Sequence, residues 1–312
     1  DHRRIVRVIP APAPRTLSSS HAPGGAVLTL ARRGDRLAPQ LTLPAPLPLD
    51  LLLAGKTATE VALLLPRLFS LCRMAQETAA CLTLGLPAPD APALAAEVLR
   101  DHLILLCATL PRAARLPVQA LPSDPATFLC GPTGRLPATL AGLEALAPNH
   151  PVLALLLGLA PGEACTAALS APQPDTVFAG QALENSPAGR QSHLPLLREI
   201  EARLGRGPLW RYAGILADAL AAHEGRLPPA RLAQRTALVP AARGTYALRL
   251  SMVGGRVSTI ARATPTDHLL APGGALLAAF ACLPAAKSAL APVILALHDP
   301  CIPVALQEAG DA

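Results

Sequence analysis

The chain has 312 residues, 51% hydrophobic but only 2% aromatic, so a sizeable core is available and Leu, Ala and Val must fill it. The net charge of +6 is spread along the sequence with few aromatics between the basic residues, which argues against nucleic-acid binding on stacking platforms. The longest uncharged run, 269–286, is broken by Pro272, Gly273, Gly274 and Pro284, which argues against a membrane span.

Residues 1–23, rich in Pro, Arg and Ser, are expected to form a flexible arm, with 24–312 as one domain. Residues 24–32 read as a strand, and 41–52, with Pro44, Pro46 and Pro48, as an extended connection. A short helix is expected over 57–65, with Thr57 or Thr59 near its cap and Pro66 as an interruption. A second helix follows over 70–84, stopped by Gly85 and Pro87. Residues 92–110 are the clearest amphipathic segment, with Leu94, Val98, Leu99, Leu103, Leu106 and Leu110 on one side. Residues 111–135 read as a loop-rich link, 136–146 as helical, and 150–160 as either a helix or a strand. The stretch 171–193 is polar and loop-like. Helices are expected over 195–204 and 208–223, the second anchored by Trp210. Residues 245–262 form a strong β-hairpin signal around Gly254-Gly255. Two further helices are expected, near 275–282 and 286–297, the latter kinked or broken by Pro292.

Seven cysteines, at 72, 81, 107, 130, 165, 282 and 301, form no C-x-x-C pair and read as reduced thiols of a cytoplasmic protein. The start, Asp-His-Arg-Arg-Ile-Val, lacks the apolar run of a signal peptide. Two stretches carry a cysteine beside polar groups: Arg67-Leu-Phe-Ser-Leu-Cys72-Arg-Met-Ala-Gln76, and His298-Asp-Pro-Cys301-Ile-Pro-Val304-Ala-Leu-Gln307. A soft metal fragment held between thiolates needs one ligand from each of two elements. On composition alone, a lone cysteine in an apolar setting is more often a small buried hydrophobe. His102, His150, His193 and His223 have no partner at metal spacing and read as surface or satisfied core residues, and Glu199 and Glu201 as a solvated helix face.

The first stretch resembles R-x-C-G-x-C-x-x-x-H, and the second D-P-C-x-x-C-x-x-H, the two metal motifs of nickel–iron hydrogenase large subunits. Phe69 and Val304 stand where each motif has its other cysteine, and Gln76 and Gln307 stand at the histidines. Between them, in the same order as in that family, lie Glu184-Asn-Ser-Pro-Ala-Gly-Arg190, similar to E-T-G-P-L-A-R, then Ala241-Ala-Arg243-Gly244, similar to A-P-R-G, and Thr264-Pro-Thr266-Asp267, where P-P-T-T would fall. The resemblance implies a mostly helical α+β fold: a degenerate hydrogenase large-subunit-like architecture with a helical core, an N-terminal strand region and a C-terminal β-hairpin. It implies Cys72 and Cys301 as metal ligands, with Arg67, Gln76, Arg243, Thr266, His298 and Asp299 around them. His298 is read equally as a cap on its own helix.

Two thiolates do not make the family's four-thiolate set, and with five residues after Gln307 the expectation is a protein lacking the C-terminal peptide that a maturation protease removes from many large subunits. The pattern resembles the large-subunit-like accessory proteins of hydrogenase maturation. That implies a non-enzymatic scaffold, transiently holding iron with cyanide and carbonyl ligands and no nickel, with a HypC-type chaperone and the hydrogenase large subunit as partners. The alternatives are a decoy that recruits maturation factors without binding metal, and a degenerate hydrogenase-like oxidoreductase.

Overall fold

The computed structural model describes residues 25–309; the expected flexible arm, residues 1–23, lies outside them. The described chain opens with an antiparallel hairpin, β1 (Ala26–Arg33) and β2 (Arg36–Thr42). Ala26, Leu28 and Leu30 alternate inward along β1, the period of a strand with one buried face. The expected extended connection is shortened at both ends, by β2 and by α1 (Leu49–Leu53). Pro44, Pro46 and Pro48 lie in the irregular stretch between these two elements.

Thr57 starts α2 (Ala58–Leu68) with a reciprocal capping box: its side chain accepts from Glu60 N, and the Glu60 carboxylate accepts from Thr57 N at 2.7 Å. Pro66 does not interrupt this helix. It sits in the last turn, where one backbone bond is lost, and its ring is buried beside Leu65. The next helix, α3 (Arg73–Leu84), starts three residues later than the sequence suggests, because Cys72 takes a left-handed conformation, φ 54°. Asp90 caps α4 (Ala91–Ile104), which continues through a π-helical turn (Leu105–Thr109) into α5 (Leu110–Ala113).

Four short helices follow. They are α6 (Pro125–Cys130), inside the expected loop-rich link, then α7 (Leu140–Glu144), α8 (Pro151–Leu156) and α9 (Pro187–Gln191). The expected pair comes next, α10 (Pro195–Leu204) and α11 (Pro208–His223). Every residue of α11 from Pro208 to Ala222 is buried, so its two charged residues there, Arg211 and Asp218, must find partners inside the protein. It is the axis of the main core, with α4, α6, α9, α10 and α14 (Ala291–His298) packed against it.

A second sheet has the antiparallel order β3 (Arg231–Ala233), β4 (Thr236–Ala241), β5 (Gly244–Val253) and β6 (Arg256–Ala263). The expected hairpin is its β5–β6 half, turned at Gly254 and Gly255 with φ of 57° and 75°. Helices α2 and α3 cover this sheet through Val61, Leu65, Ala75 and Ala79 against Val239, Tyr246 and Leu248. The chain then forms α12 (Pro265–Leu269) and α13 (Ala275–Ala281), a 3-10 turn (Ala285–Leu290), and α14. Pro292 lies in the first turn of α14, so it starts the helix instead of kinking it. The last strand, β7 (Val304–Glu308), pairs parallel with β1, Leu306 opposite Leu28. The result is the mostly helical α+β fold that the sequence leads one to expect.

Candidate functional site

Cys72 and Cys301 line one cavity of about 180 Å³, walled also by Phe69, Gln76, Arg243 and Arg262. Cys72 is brought there by the start of α3. Its left-handed backbone costs a non-glycine residue energy, and its side chain makes no cap for the helix. The cap comes from another element: both Glu97 carboxylate oxygens, on α4, accept from Met74 N at 3.1 Å. Cys301 is brought by the exit from α14, which ends at Asp299 in a second left-handed conformation, φ 41°, followed by Pro300. Thr266 Oγ1 accepts from Cys301 N at 2.8 Å, and Cys301 Sγ lies 3.9 Å from Thr264 Oγ1. The capping box of α12, Thr264 with Asp267, holds both threonines in place.

Arg243 enters from the β4–β5 turn. Its Nη1 lies 3.5 Å from Cys72 Sγ and 3.4 Å from Asp101 Oδ2, and its Nη2 lies 3.4 Å from Asp299 Oδ1. Nε is 3.0 Å from Asp299 Oδ2, but its N–H is not aimed at that oxygen, so the contact is an ion pair without a hydrogen bond. Against the penalty of burial, the carboxylates of Asp299 and Asp101 hold the guanidinium firmly charged. Burial pushes the Cys72 thiol up to about 11, with Arg243 pulling it down and Glu97 and Asp101 pushing it up. Cys72 is therefore protonated at neutral pH, and any metal it binds must displace that proton. Burial also raises the Asp299 carboxyl, with Arg243 opposing.

Beneath this layer lies a buried hub at Asp218 on α11. Its carboxylate accepts from Arg190 Nε at 2.8 Å and Nη2 at 2.7 Å and from Gln191 Nε2 at 2.9 Å, and pairs with His102 Nε2 at 2.9 Å. Arg190 also donates to the carbonyls of Ala241 and Gly244, at 2.8 and 3.0 Å, on either side of Arg243. One carboxylate thus fixes the turn that carries Arg243 and, through His102, the helix that carries Asp101. Burial works against its charge, but Arg190 and His102 hold Asp218 well below the usual carboxylate range.

The other residues singled out from the sequence divide. Gln76 is buried and lines the cavity; its Nε2 donates to Leu71 O at 2.8 Å, and its Oε1 has no partner among the described residues. Thr266 supports Cys301. His298 does not reach the cysteine cavity: its Nδ1 bonds Ile294 O at 2.8 Å, capping its own helix, and burial pushes its pKa down to about 3, so it is neutral. It lines a neighbouring cavity of about 30 Å³ with Arg243, Thr266 and Asp299. Arg67 is a correction. It is exposed on the last turn of α2, because Leu65 and Pro66 take the buried positions there. Val304 and Gln307 are drawn into β7, where Gln307 stands opposite Thr29.

Of the remaining histidines, His102 and His150 are satisfied core residues, the latter by Tyr212 Oη and Phe128 O at 2.9 Å, and His193 and His223 are exposed. Glu199 is not only a solvated face: it accepts from Leu140 N at 2.9 Å and caps α7. Sequence reasoning missed Asp101, Asp218, Tyr246 and Arg262. Arg190 lay in the stretch similar to E-T-G-P-L-A-R, the one signal that could have found it.

No protein-family model matches the chain. Its fold is similar to a nickel–iron–selenium hydrogenase from D. vulgaris Hildenborough, with a TM-score of 0.58 at 11% identity over 86% of this chain and 94% of the other. A second such enzyme, from Desulfomicrobium baculatum, gives a TM-score of 0.56 at 9% identity over 87% of this chain and 95% of that one. These likenesses establish the hydrogenase large-subunit fold. A relative from Rhodobacter capsulatus, the hydrogenase expression/formation protein HupK, is 47% identical over 297 residues, 91% of this chain and 98% of that protein. With that identity across nearly the whole of both sequences, the chain belongs to the HupK family of hydrogenase expression/formation proteins.

Proposed function

We propose that the chain is a non-catalytic carrier in hydrogenase maturation, holding an iron ion with cyanide and carbonyl ligands between Cys72 and Cys301 and releasing it to the hydrogenase large subunit. The observation that carries this reading is that two cysteines far apart in the sequence, Cys72 and Cys301, line one cavity. The iron is cargo. Two thiolates leave positions open for the ligands it brings, and a two-point hold exchanges more readily than a closed four-thiolate seat. On loading, each thiol gives up its proton and its sulfur replaces a ligand of the donor. For Cys72, with its pKa pushed up to about 11, the metal itself drives that loss. Arg243, fixed by Asp101 and Asp299, offsets the thiolate charge and can donate to a cyanide nitrogen. The partners implied are a HypC-type chaperone as donor and the large subunit as acceptor, in the cytoplasm.

A second reading is a look-alike that recruits maturation factors without binding metal. It is favoured by one observation: burial keeps the proton on the Cys72 thiol, whose pKa is pushed up to about 11, so the cavity does not present a ready thiolate. Infrared spectroscopy separates the two. Protein purified without oxygen from cells expressing the maturation machinery should show cyanide and carbonyl stretching bands. Their absence from a protein that still supports maturation would overturn carriage and favour the look-alike.

A further inference from the structure

We propose that Arg262 and Tyr246 form an anion-binding subsite inside the cysteine cavity, taking one small monoanion beside the two thiols. The cavity holds two guanidinium groups in different surroundings. Arg243 is matched by two carboxylates, Asp101 and Asp299. Arg262, on β6, has no carboxylate at ion-pair distance among the described residues. Its Nε–H donates to Tyr246 Oη at 3.2 Å, and its Cζ lies 4.0 Å from the centroid of the Phe69 ring. Those two contacts orient the guanidinium and leave its terminal N–H groups without an acceptor among the described residues. Arginine in this state, planar and stacked on an aromatic face, suits bidentate recognition of a small anion.

Tyr246 adds a second donor. It is 2% exposed and accepts from Arg262, which leaves its own O–H to give. Burial pushes its pKa up to about 12, so it stays a neutral phenol at physiological pH. Phe69 makes the same point from the other side. Where the resemblance places a cysteine, this chain presents a ring carrying a cation, so the local charge becomes positive where a thiolate would be negative. Among the described residues no carboxylate neutralises this cation directly, which leaves it open to a small anion that enters the cavity. A free monoanion and an anionic ligand on a metal fragment offer the same chemistry. Which of them is the natural occupant rests on the carrier reading; the existence of the subsite does not.

The test compares alkylation of Cys301 in the full-length protein by iodoacetate, an anion, and iodoacetamide, its neutral counterpart of similar size, read site by site by mass spectrometry. The iodoacetate-to-iodoacetamide rate ratio should fall about tenfold in Arg262→Gln, part of it returning in Arg262→Lys. Added salt should move the wild-type ratio toward that of Arg262→Gln. Thiocyanate should protect Cys301 in the wild type and not in Arg262→Gln, and Tyr246→Phe should weaken that protection. The iodoacetamide rate, reporting on access, folding and thiol ionisation, should change much less than the iodoacetate rate. An equal ratio in wild type and Arg262→Gln, or an equal fall at Cys282, which does not line the cavity, would overturn the proposal. In metal-loaded protein, a cyanide band that shifts on Arg262→Gln identifies the occupant as metal-borne. Thiocyanate protection with no such shift identifies a free anion. Loss of the infrared bands with the alkylation result intact would remove the carrier and keep the subsite.

Discussion

The environment of Cys72 decides what the cavity can hold. Its thiol sits beside a buried cation, yet burial outweighs Arg243 and keeps the proton on sulfur. A free metal-binding thiol with that pKa competes with its own proton, so uptake of a soft probe metal should strengthen as pH rises toward the titration of Cys72. The apparent affinity of the apoprotein for such a metal, measured across neutral to alkaline pH, checks the direction; a flat profile counts against Cys72 as a ligand. The pairing with Cys301 has a separate signature. Either thiolate alone gives a one-point hold, so Cys72→Ser and Cys301→Ser should each lose nearly as much maturation as the double variant. Hydrogenase activity in cells lacking the native copy, with protein level checked by blot, measures this. Normal activity in the double variant would reject carriage.

At the level of elements, the cavity depends on a helix start that its own residues do not cap. Cys72 is left-handed and offers no side-chain bond, so Glu97 on α4 satisfies Met74 N instead. Glu97→Ala should cost about 0.5–2 kcal/mol of stability, the usual range for a lost cap. It should also speed alkylation of Cys72 more than that of Cys301, because the start of α3 loosens while Thr266 keeps its bond to Cys301. Unfolding in denaturant and site-resolved alkylation check the two parts. This kind of cross-element cap is invisible in sequence, whereas Thr57 with Glu60 three residues later is a local pattern that reads directly. The same division runs through the fold. α10 and α11 announce themselves by proline at the first turn, and β5–β6 by Gly254-Gly255. β4 does not, because all its residues are buried and its Thr-Ala-Leu-Val-Pro-Ala sequence shows no alternation. β7 is short, and its partner β1 lies at the other end of the chain, so no local signal marks it. Cys72 and Cys301 were legible as a pair only through two degenerate motifs. Arg262 was hidden, since its role depends on Phe69 and Tyr246 reaching it in space.

The whole molecule converges on Asp218. Through Arg190 it grips the β4–β5 turn on both sides of Arg243, and through His102 it grips the part of α4 that carries Asp101. The two groups that meet at the Cys72 thiol, Arg243 and its counter-ion Asp101, are thus located by one carboxylate in the central helix. Removing that charge leaves Arg190 buried against a neutral amide, so Asp218→Asn should cost about 3–5 kcal/mol, the range for breaking one side of a buried pair. The pH dependence has a definite sign. The folded-state pKa of Asp218 is depressed by Arg190 and His102, so its contribution is present above the ordinary carboxylate pKa and is lost as pH falls through the depressed one. Denaturant unfolding at neutral pH and on the acid limb should therefore show a large gap between wild type and Asp218→Asn that narrows below about pH 4. In the folded variant, Cys72 should alkylate at a changed rate while Cys282 does not, because the turn that carries Arg243 has lost the support of Arg190 held by Asp218. An equal gap at all pH values would mean that the hub acts by packing and not by charge.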